Sequence, residues 1–236
     1  MEETEKLRNS FLDGCVLLFD KPYQWTSFDV VNKLKALLRH QLEIKKIKIG
    51  HAGTLDPLAT GLLIVCTGKM TKSIHKFQDM DKEYNGIFYI GATTPSFDLE
   101  TSPDKEYSIS HITKEEIEET AKQFTGSIEQ LPPLFSAKKI DGKRAYSYAR
   151  KGKSDTPTKS NTVHIYDFSI TNTNLPYVNF NVVCSKGTYI RSLAHDFGVA
   201  LNSGAYLKNL RRVRIGTYHV NDAWDINDFE KSIKYK

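Results

Sequence analysis

Short apolar runs and amphipathic stretches alternate along the chain, and their order predicts a mixture of strands and helices. Residues 14–19 (GCVLLF) read as a strand. Thr26 and Asp29 form a candidate capping box opening a helix whose apolar positions Val31, Leu34, Leu37 and Leu38 share one face, ending near His40. Residues 62–66 (LLIVC) have the continuous apolar character of a buried strand, and 84–90 predict another. Residues 113–124 predict a surface helix with an acidic first half, a charge distribution that suits a helix N-terminus. Residues 163–170 and 178–183 read as an antiparallel hairpin around a turn at 174–176. Residues 189–200 predict a helix, 210–220 a last strand, and the tail from Ala223 a short helix.

Strands and helices intermix without regular βα alternation, so the expected fold class is α+β with a mixed, mainly antiparallel sheet. No repeat, linker or low-complexity tract divides the 236 residues, and a single continuous domain over 1–236 is expected. The longest apolar runs fall far short of a membrane span, and the N-terminal MEETEKLRNS lacks the apolar core of a secretory signal. Cys15, Cys66 and Cys184 are far apart and odd in number, which predicts free thiols and a cytoplasmic location.

Net charge is only +5, yet it is unevenly placed. Residues 33–48 and 186–214 each carry six basic side chains and one acidic, and 138–159 eight basic and two acidic. Residues 79–119 hold eleven acids and three lysines. Each run alone reads as a solvated face, but the three basic runs together point to a polyanionic partner such as nucleic acid.

Several chemistries are excluded by spacing. Gly68-Lys69-Met70 is no phosphate loop, because Met70 follows the lysine and Leu63 stands where the first glycine belongs. No histidine pair has helical zinc spacing and there is no C-x-x-C, so a metal is not indicated. No G-x-S-x-G nucleophile elbow occurs. The densest unexplained segment is 50–61, GHAGTLDPLATG, which reads as a loop between Ile49 and the strand at Leu62. Asp56 precedes Pro57, which favours an extended backbone and could project the carboxylate as nucleophile or base; a plain Asp-Pro turn is the alternative. In 184–193 (CSKGTYIRSL), Gly187 breaks the strand, Thr188 is placed to cap the next helix, and Arg191 falls in its first turn. That arginine is either exposed or held by a carboxylate or phosphate. Tyr84 could stack on a base or pack in the core.

Taken together, these segments resemble the signature of the TruB family of tRNA pseudouridine-55 synthases. GHAGTLDPLATGLLIVCTGKMTK carries the resemblance most specifically, joined by LLFDKPYQWTS at 17–27, DKEY at 81–84, LPPLFSAKKIDGKRAYSYARKG at 131–152, CSKGTYIRSLAHDFG and LRRVRIG. The resemblance implies a pseudouridine synthase fold with flanking helices and an RNA-binding cleft. It also implies isomerisation of a T-loop uridine of tRNA after base flipping, with no cofactor, and no guide RNA or obligatory protein partner. By the same resemblance Asp56 is the nucleophile, Tyr84 packs on the target base, and Arg191 pairs with the aspartate. His51 wedges into the RNA loop, Tyr189 and Leu210 line the substrate pocket, and Lys21 with Pro22 belongs to a supporting motif. Two departures stand out. Pro95 occupies a position in GATTPSFDLE (91–100) where an aspartate is expected, although Asp98 remains, and the chain ends at Lys236 without room for the C-terminal PUA domain that many relatives carry. The short form suggests the stand-alone bacterial type.

Overall fold

The computed structural model describes residues 2–133, 139–140, 143–144 and 159–234. In chain order the elements are α1 (Glu2–Asp13), β1 (Val16–Lys21), α2 (Ser27–Gln41), β2 (Ile49–His51), β3 (Ala59–Thr67), a 3-10 helix (Gly68–Ser73) running into α3 (Ile74–Gln78), and β4 (Lys82–Ile90). There follow β5 (Ala92–Thr93), β6 (Lys105–Glu106), α4 (Lys114–Gln123), β7 (Gly126–Gln130), β8 (Lys139–Ile140) and β9 (Lys143–Arg144). The chain finishes with β10 (Asn161–Asn174), β11 (Tyr177–Cys184), α5 (Ile190–Ala200), β12 (Ala205–Ile215), β13 (Tyr218–His219) and α6 (Ile226–Lys234). Two compact units result, one comprising the chain up to Glu83 and again from Arg211, the other Tyr84–Leu210.

In the first unit β3 lies between β1 and the end of β12, with β1 antiparallel to it in a register that sets Phe19 opposite Leu63 and Lys21 opposite Gly61. β2 pairs antiparallel with the far end of β3, placing His51 opposite Val65. The continuous apolar run of β3 is explained by burial on both faces. Leu63 and Val65 pack with Phe19, Leu34, Leu38 and Phe229 of α2 and α6, while Leu62, Ile64 and Cys66 pack with Phe77 and Ile215 on the other side. The capping box of α2 is formed as expected: Thr26 Oγ1 accepts from Asp29 N–H at 3.1 Å, and Asp29 Oδ2 accepts from Thr26 N–H at 2.7 Å. Lys33 bonds Glu230 at 2.7 Å, tying α2 to α6.

In the second unit the order is β12-β4-β11-β10-β7, using the first part of β12. The expected hairpin is present as β10–β11, with Thr173 opposite Val178 and Asn174 opposite Tyr177. Its core is aromatic: Phe88 and Phe180 lie 4.1 Å apart centroid to centroid, and Phe197 of α5 packs 5.5 Å from Phe88. α4 starts at a second capping box, Thr113 with Glu116.

Three expectations need correction. The last strand does not run through 210–220: β12 begins at Ala205, the chain turns at Gly216 with φ of 54°, and β13 folds back so that Ile215 faces Tyr218. Thr188 does not cap α5, whose N-cap is Tyr189; the Thr188 hydroxyl instead donates to Ser185 O at 2.9 Å. The segment 50–61 is not wholly loop, since its first residues belong to β2 and its last to β3. The N-terminal residues also form a helix, α1, which seats Phe11 at 6.5 Å from Phe229.

Candidate active-site residues

Asp56 sits on the arc between β2 and β3, and that arc is fastened at several points within the first unit. Ser27, the first residue of α2, binds Leu55 reciprocally: its hydroxyl accepts from Leu55 N–H at 2.8 Å and donates to Leu55 O at 3.1 Å. On the other side of Asp56, Pro57 O accepts from Gln24 N–H at 2.9 Å and from Lys21 Nζ at 3.4 Å. Ala59 N–H closes a turn onto Asp56 O at 3.1 Å. The aspartate is therefore half-buried on a backbone fixed before and after it, which is more than a free Asp-Pro turn provides.

Lys21 is fully shielded from solvent, and its ammonium also donates to Pro22 O at 2.9 Å and Trp25 O at 2.5 Å. Burial pulls its pKa down from 10.5 to about 8, against the opposing pull of the Asp56 charge, with Arg212 lowering it further. His51, at the end of β2, is half-buried; desolvation first and the Arg212 charge second hold its imidazole below the ordinary value, favouring the neutral ring. Asp20, next to Lys21, takes a two-pronged grip from Arg211, with Nη1 at 3.0 Å from Oδ1 and Nη2 at 2.6 Å from Oδ2.

In the second unit Arg191 is the second residue of α5 and is 4% exposed, so the exposed alternative does not hold. Its Nε lies 3.6 Å from Asp98 Oδ2 and its Nη1 donates to Ser96 O at 3.3 Å. Asp98 is equally buried, and its Oδ1 accepts from Glu100 N–H at 3.0 Å. The departure at Pro95 thus leaves the segment able to supply a carboxylate to the arginine. Phe97 beside it has φ of 64° and stacks on His195 at 4.2 Å. Tyr189 is fixed through its backbone by Gln130, whose Oε1 accepts from Tyr189 N–H at 2.7 Å and whose Nε2 donates to Tyr189 O at 3.0 Å. Tyr84 on β4 and Leu210 on β12 are buried, each 8% exposed. Asp56, His51 and Lys21 belong to the first unit, and Tyr84, Tyr189, Arg191 and Leu210 to the second.

Sequence reasoning missed Asp98 as a partner of Arg191, and it missed Gln130, Ser27 and Arg212. Only Arg212 gave a local sign, as a charged residue inside an alternating strand pattern. Most of the basic stretch 138–159 and of the segment 131–152 lies outside the described residues. Among those described, no group of three or more His, Cys, Asp or Glu side chains is placed to hold a metal ion, and no helix is long and apolar enough to cross a membrane.

The α+β fold has counterparts among solved structures. The chain superposes on one in the crystal structure of a Cbf5–Nop10–Gar1 complex with a TM-score of 0.72 at 28% identity, covering 97% of this chain and 57% of that one. A chain in the structure of an H/ACA RNP bound to a substrate RNA containing 2′-deoxyuridine gives 0.69 at 25% identity, covering 96% and 55%. The class, that of the pseudouridylate synthases, comes from two family models that together match most of the chain. Residues 39–190 match the family model described as TruB family pseudouridylate synthase (N terminal domain), and 191–236 that of the tRNA pseudouridylate synthase B C-terminal domain. The chain belongs to the TruB family. It is 57% identical over 226 residues to a protein of Flavobacterium johnsoniae named tRNA pseudouridine synthase B, covering 95% of this chain and 98% of that one. A protein of the same name from Phocaeicola vulgatus is 54% identical, covering 93% of each.

Proposed function

We propose that this enzyme converts the uridine at position 55, in the T-loop of tRNA, to pseudouridine, with Asp56 as nucleophile. The observation that carries the reading is the near full-length likeness to relatives named tRNA pseudouridine synthase B. The fastened arc around Asp56 supports the choice of nucleophile. The isomerisation breaks the bond from C1′ to N1, turns the uracil, and joins C5 to C1′; C5 releases a proton and N1 gains one, so neither water nor an oxidant is consumed. Attack by Asp56 on the ring or on the sugar both satisfy this balance.

The base must leave its stack first, at a cost of a few kcal/mol that new contacts offset. Tyr84 supplies an aromatic face for the flipped base, His51 the wedge that fills the vacated place, and Tyr189 with Leu210 the walls of the pocket. A neutral His51 is suited to wedging between bases because it carries no charge to desolvate. Arg191 provides a rigid guanidinium whose orientation Asp98 and Ser96 fix, and Lys21 supports the arc. A cytoplasmic workplace fits three free thiols.

The test is incubation of the purified protein alone with an unmodified tRNA transcript, followed by mapping of pseudouridine. Product at the T-loop uridine, without guide RNA or a second protein, is the expected result. Product elsewhere only, or dependence on an added RNA or protein, would contradict the reading.

A further inference from the structure

The arc that carries Asp56 hangs between two buried cations that flank one residue of β3. Gly61 is paired with Lys21 on β1, and on its other side it meets the backbone of Arg212 on β12 so closely that a Cβ there would stand 2.2 Å from Arg212 O. Lys21 reaches the limb of the arc after Asp56, at Pro57 O. Arg212 reaches the limb before it: Nη2 donates to Gly53 O at 3.1 Å, while Nε donates to Leu62 O at 2.8 Å, where the chain has re-entered β3. At 1% exposure Arg212 is among the most buried side chains of the protein, and no carboxylate pairs with it in any salt bridge among the described residues. A buried guanidinium satisfied by backbone carbonyls is a costly feature unless it fixes something. Its neighbour Arg211 points to the opposite face of the strand, where it grips Asp20, so the Arg-Arg pair serves two separate tasks through strand alternation.

From this geometry we infer that Arg212 is a positioning residue for the reaction: its planar fork staples Gly53 to Leu62, closes the arc, and holds both His51 and Asp56 in their working places. The fork suits this task because two N–H groups held in one rigid plane meet carbonyls at opposite ends of the arc, whereas an ammonium on its flexible stem fixes no such angle between them. After desolvation, the charge of the same guanidinium is the second influence that holds the His51 imidazole below its ordinary value. Arg212 therefore acts on chemistry through the backbone and through the field at His51, without touching RNA.

The inference rests on the proposed role of Asp56, so Arg212→Lys and Asp56→Asn are assayed side by side. Folded Arg212→Lys is expected to bind tRNA within about twofold of the unaltered enzyme while its single-turnover rate falls tenfold or more. In Arg212→Gln the His51 ring, followed by NMR, is expected to titrate at higher pH than in the unaltered protein, whereas Arg212→Lys, which keeps the charge, is expected to shift it less; an equal rise in both variants would report hydration of a loosened site and overturns the part given to the Arg212 charge. A single-turnover rate for Arg212→Lys near normal, beside an inactive Asp56→Asn, overturns the inference and leaves the nucleophile standing. An active Asp56→Asn overturns the reading of Asp56 by itself. Should neither Arg212 variant fold, the Nε–H of Arg212 in the unaltered protein decides: slow exchange with solvent is expected of a stapled guanidinium, and rapid exchange overturns the staple.

Discussion

Arg191 Nε lies 3.6 Å from Asp98 Oδ2 inside the second unit, with both side chains removed from solvent. A buried pair of this kind is costly to break, because removing one partner strands the other charge; values of about 3–5 kcal/mol are usual. Asp98→Asn keeps the shape and the bond to Glu100 N–H but removes the charge. The expected outcome is a lower melting temperature together with a single-turnover rate reduced at least tenfold, since Arg191 loses the partner that orients it. Unchanged chemistry in a folded Asp98→Asn would show that Arg191 needs no such orientation.

Asp56→Asn separates binding from reaction. The amide matches the carboxylate in size but is neither charged nor nucleophilic, so tRNA affinity should stay within about threefold while product formation disappears. Arg191→Lys keeps a positive charge but not the planar fork, and should bind RNA and react poorly. Filter binding and single-turnover assays at saturating enzyme distinguish these outcomes from a general loss of folding.

The pattern of the chain made the secondary structure legible wherever the information is local. The Thr26–Asp29 capping box and the β10–β11 hairpin depend on residues within a few positions of one another. Asp56 stands out as a candidate through a dense motif. The residues that fasten the candidate site were not, because their partners are remote: Ser27 meets Leu55, Gln130 meets Tyr189, and Arg212 reaches Gly53 across most of the chain. Register and strand order create those meetings, and neither is written in the periodicity of a single segment. The missed turn at Gly216 has a similar cause, since a single glycine between two β-like stretches reads equally well as a strand interior or as a reversal.

Lys21 gives the fold a pH dependence whose sign follows from its burial. Its pKa is about 8 in the folded protein against 10.5 ordinarily, so between those values the unfolded chain binds more protons. Stability from this group is present above the unfolded pKa and is lost as pH falls through the folded one. In Lys21→Met this contribution is absent. Urea unfolding at several pH values should therefore show the unaltered protein gaining on Lys21→Met from pH 8 to 10.5, by on the order of 2 kcal/mol. A constant difference would mean that the amine is not desolvated.

A groove of about 450 Å³ in the first unit is lined by Phe28, Lys35, Lys48 and Gly50, the last beginning the segment that carries Asp56. Lys46, Lys48, Lys69 and Lys72 line a second hollow that shares Lys48 and Thr71 with it. Lys69 bonds Asp13 at 2.9 Å, whereas Lys35, Lys46, Lys48 and Lys72 enter no ion pair among the described residues. If RNA phosphates follow these lysines, tRNA affinity should fall steeply with salt, and Lys46→Glu with Lys35→Glu should weaken binding and flatten the salt slope while leaving the rate of bound RNA nearly intact. An unchanged salt slope in the double variant would place the phosphate contacts elsewhere.

Gly61 tests whether the close approach of β12 to β3 is what the signature requires of that glycine. Its φ of 105° is one that L-residues rarely adopt, and a Cβ would meet the Arg212 backbone at 2.2 Å. Gly126 has the same φ of 105° with nothing within 4 Å of its Cβ position, so Gly126→Ala measures the backbone strain alone. That variant should lose about 1–2 kcal/mol and keep full activity. Gly61→Ala adds a collision with main-chain atoms that cannot swing aside, and should lose about 2–5 kcal/mol, a fall of roughly 4–20 °C in Tm. It should also lose activity, because moving the Arg212 backbone pulls the guanidinium away from Gly53 O. Equal melting temperatures for the two variants would mean that φ alone selects glycine at 61, and the proximity of Arg212 would have no part in it.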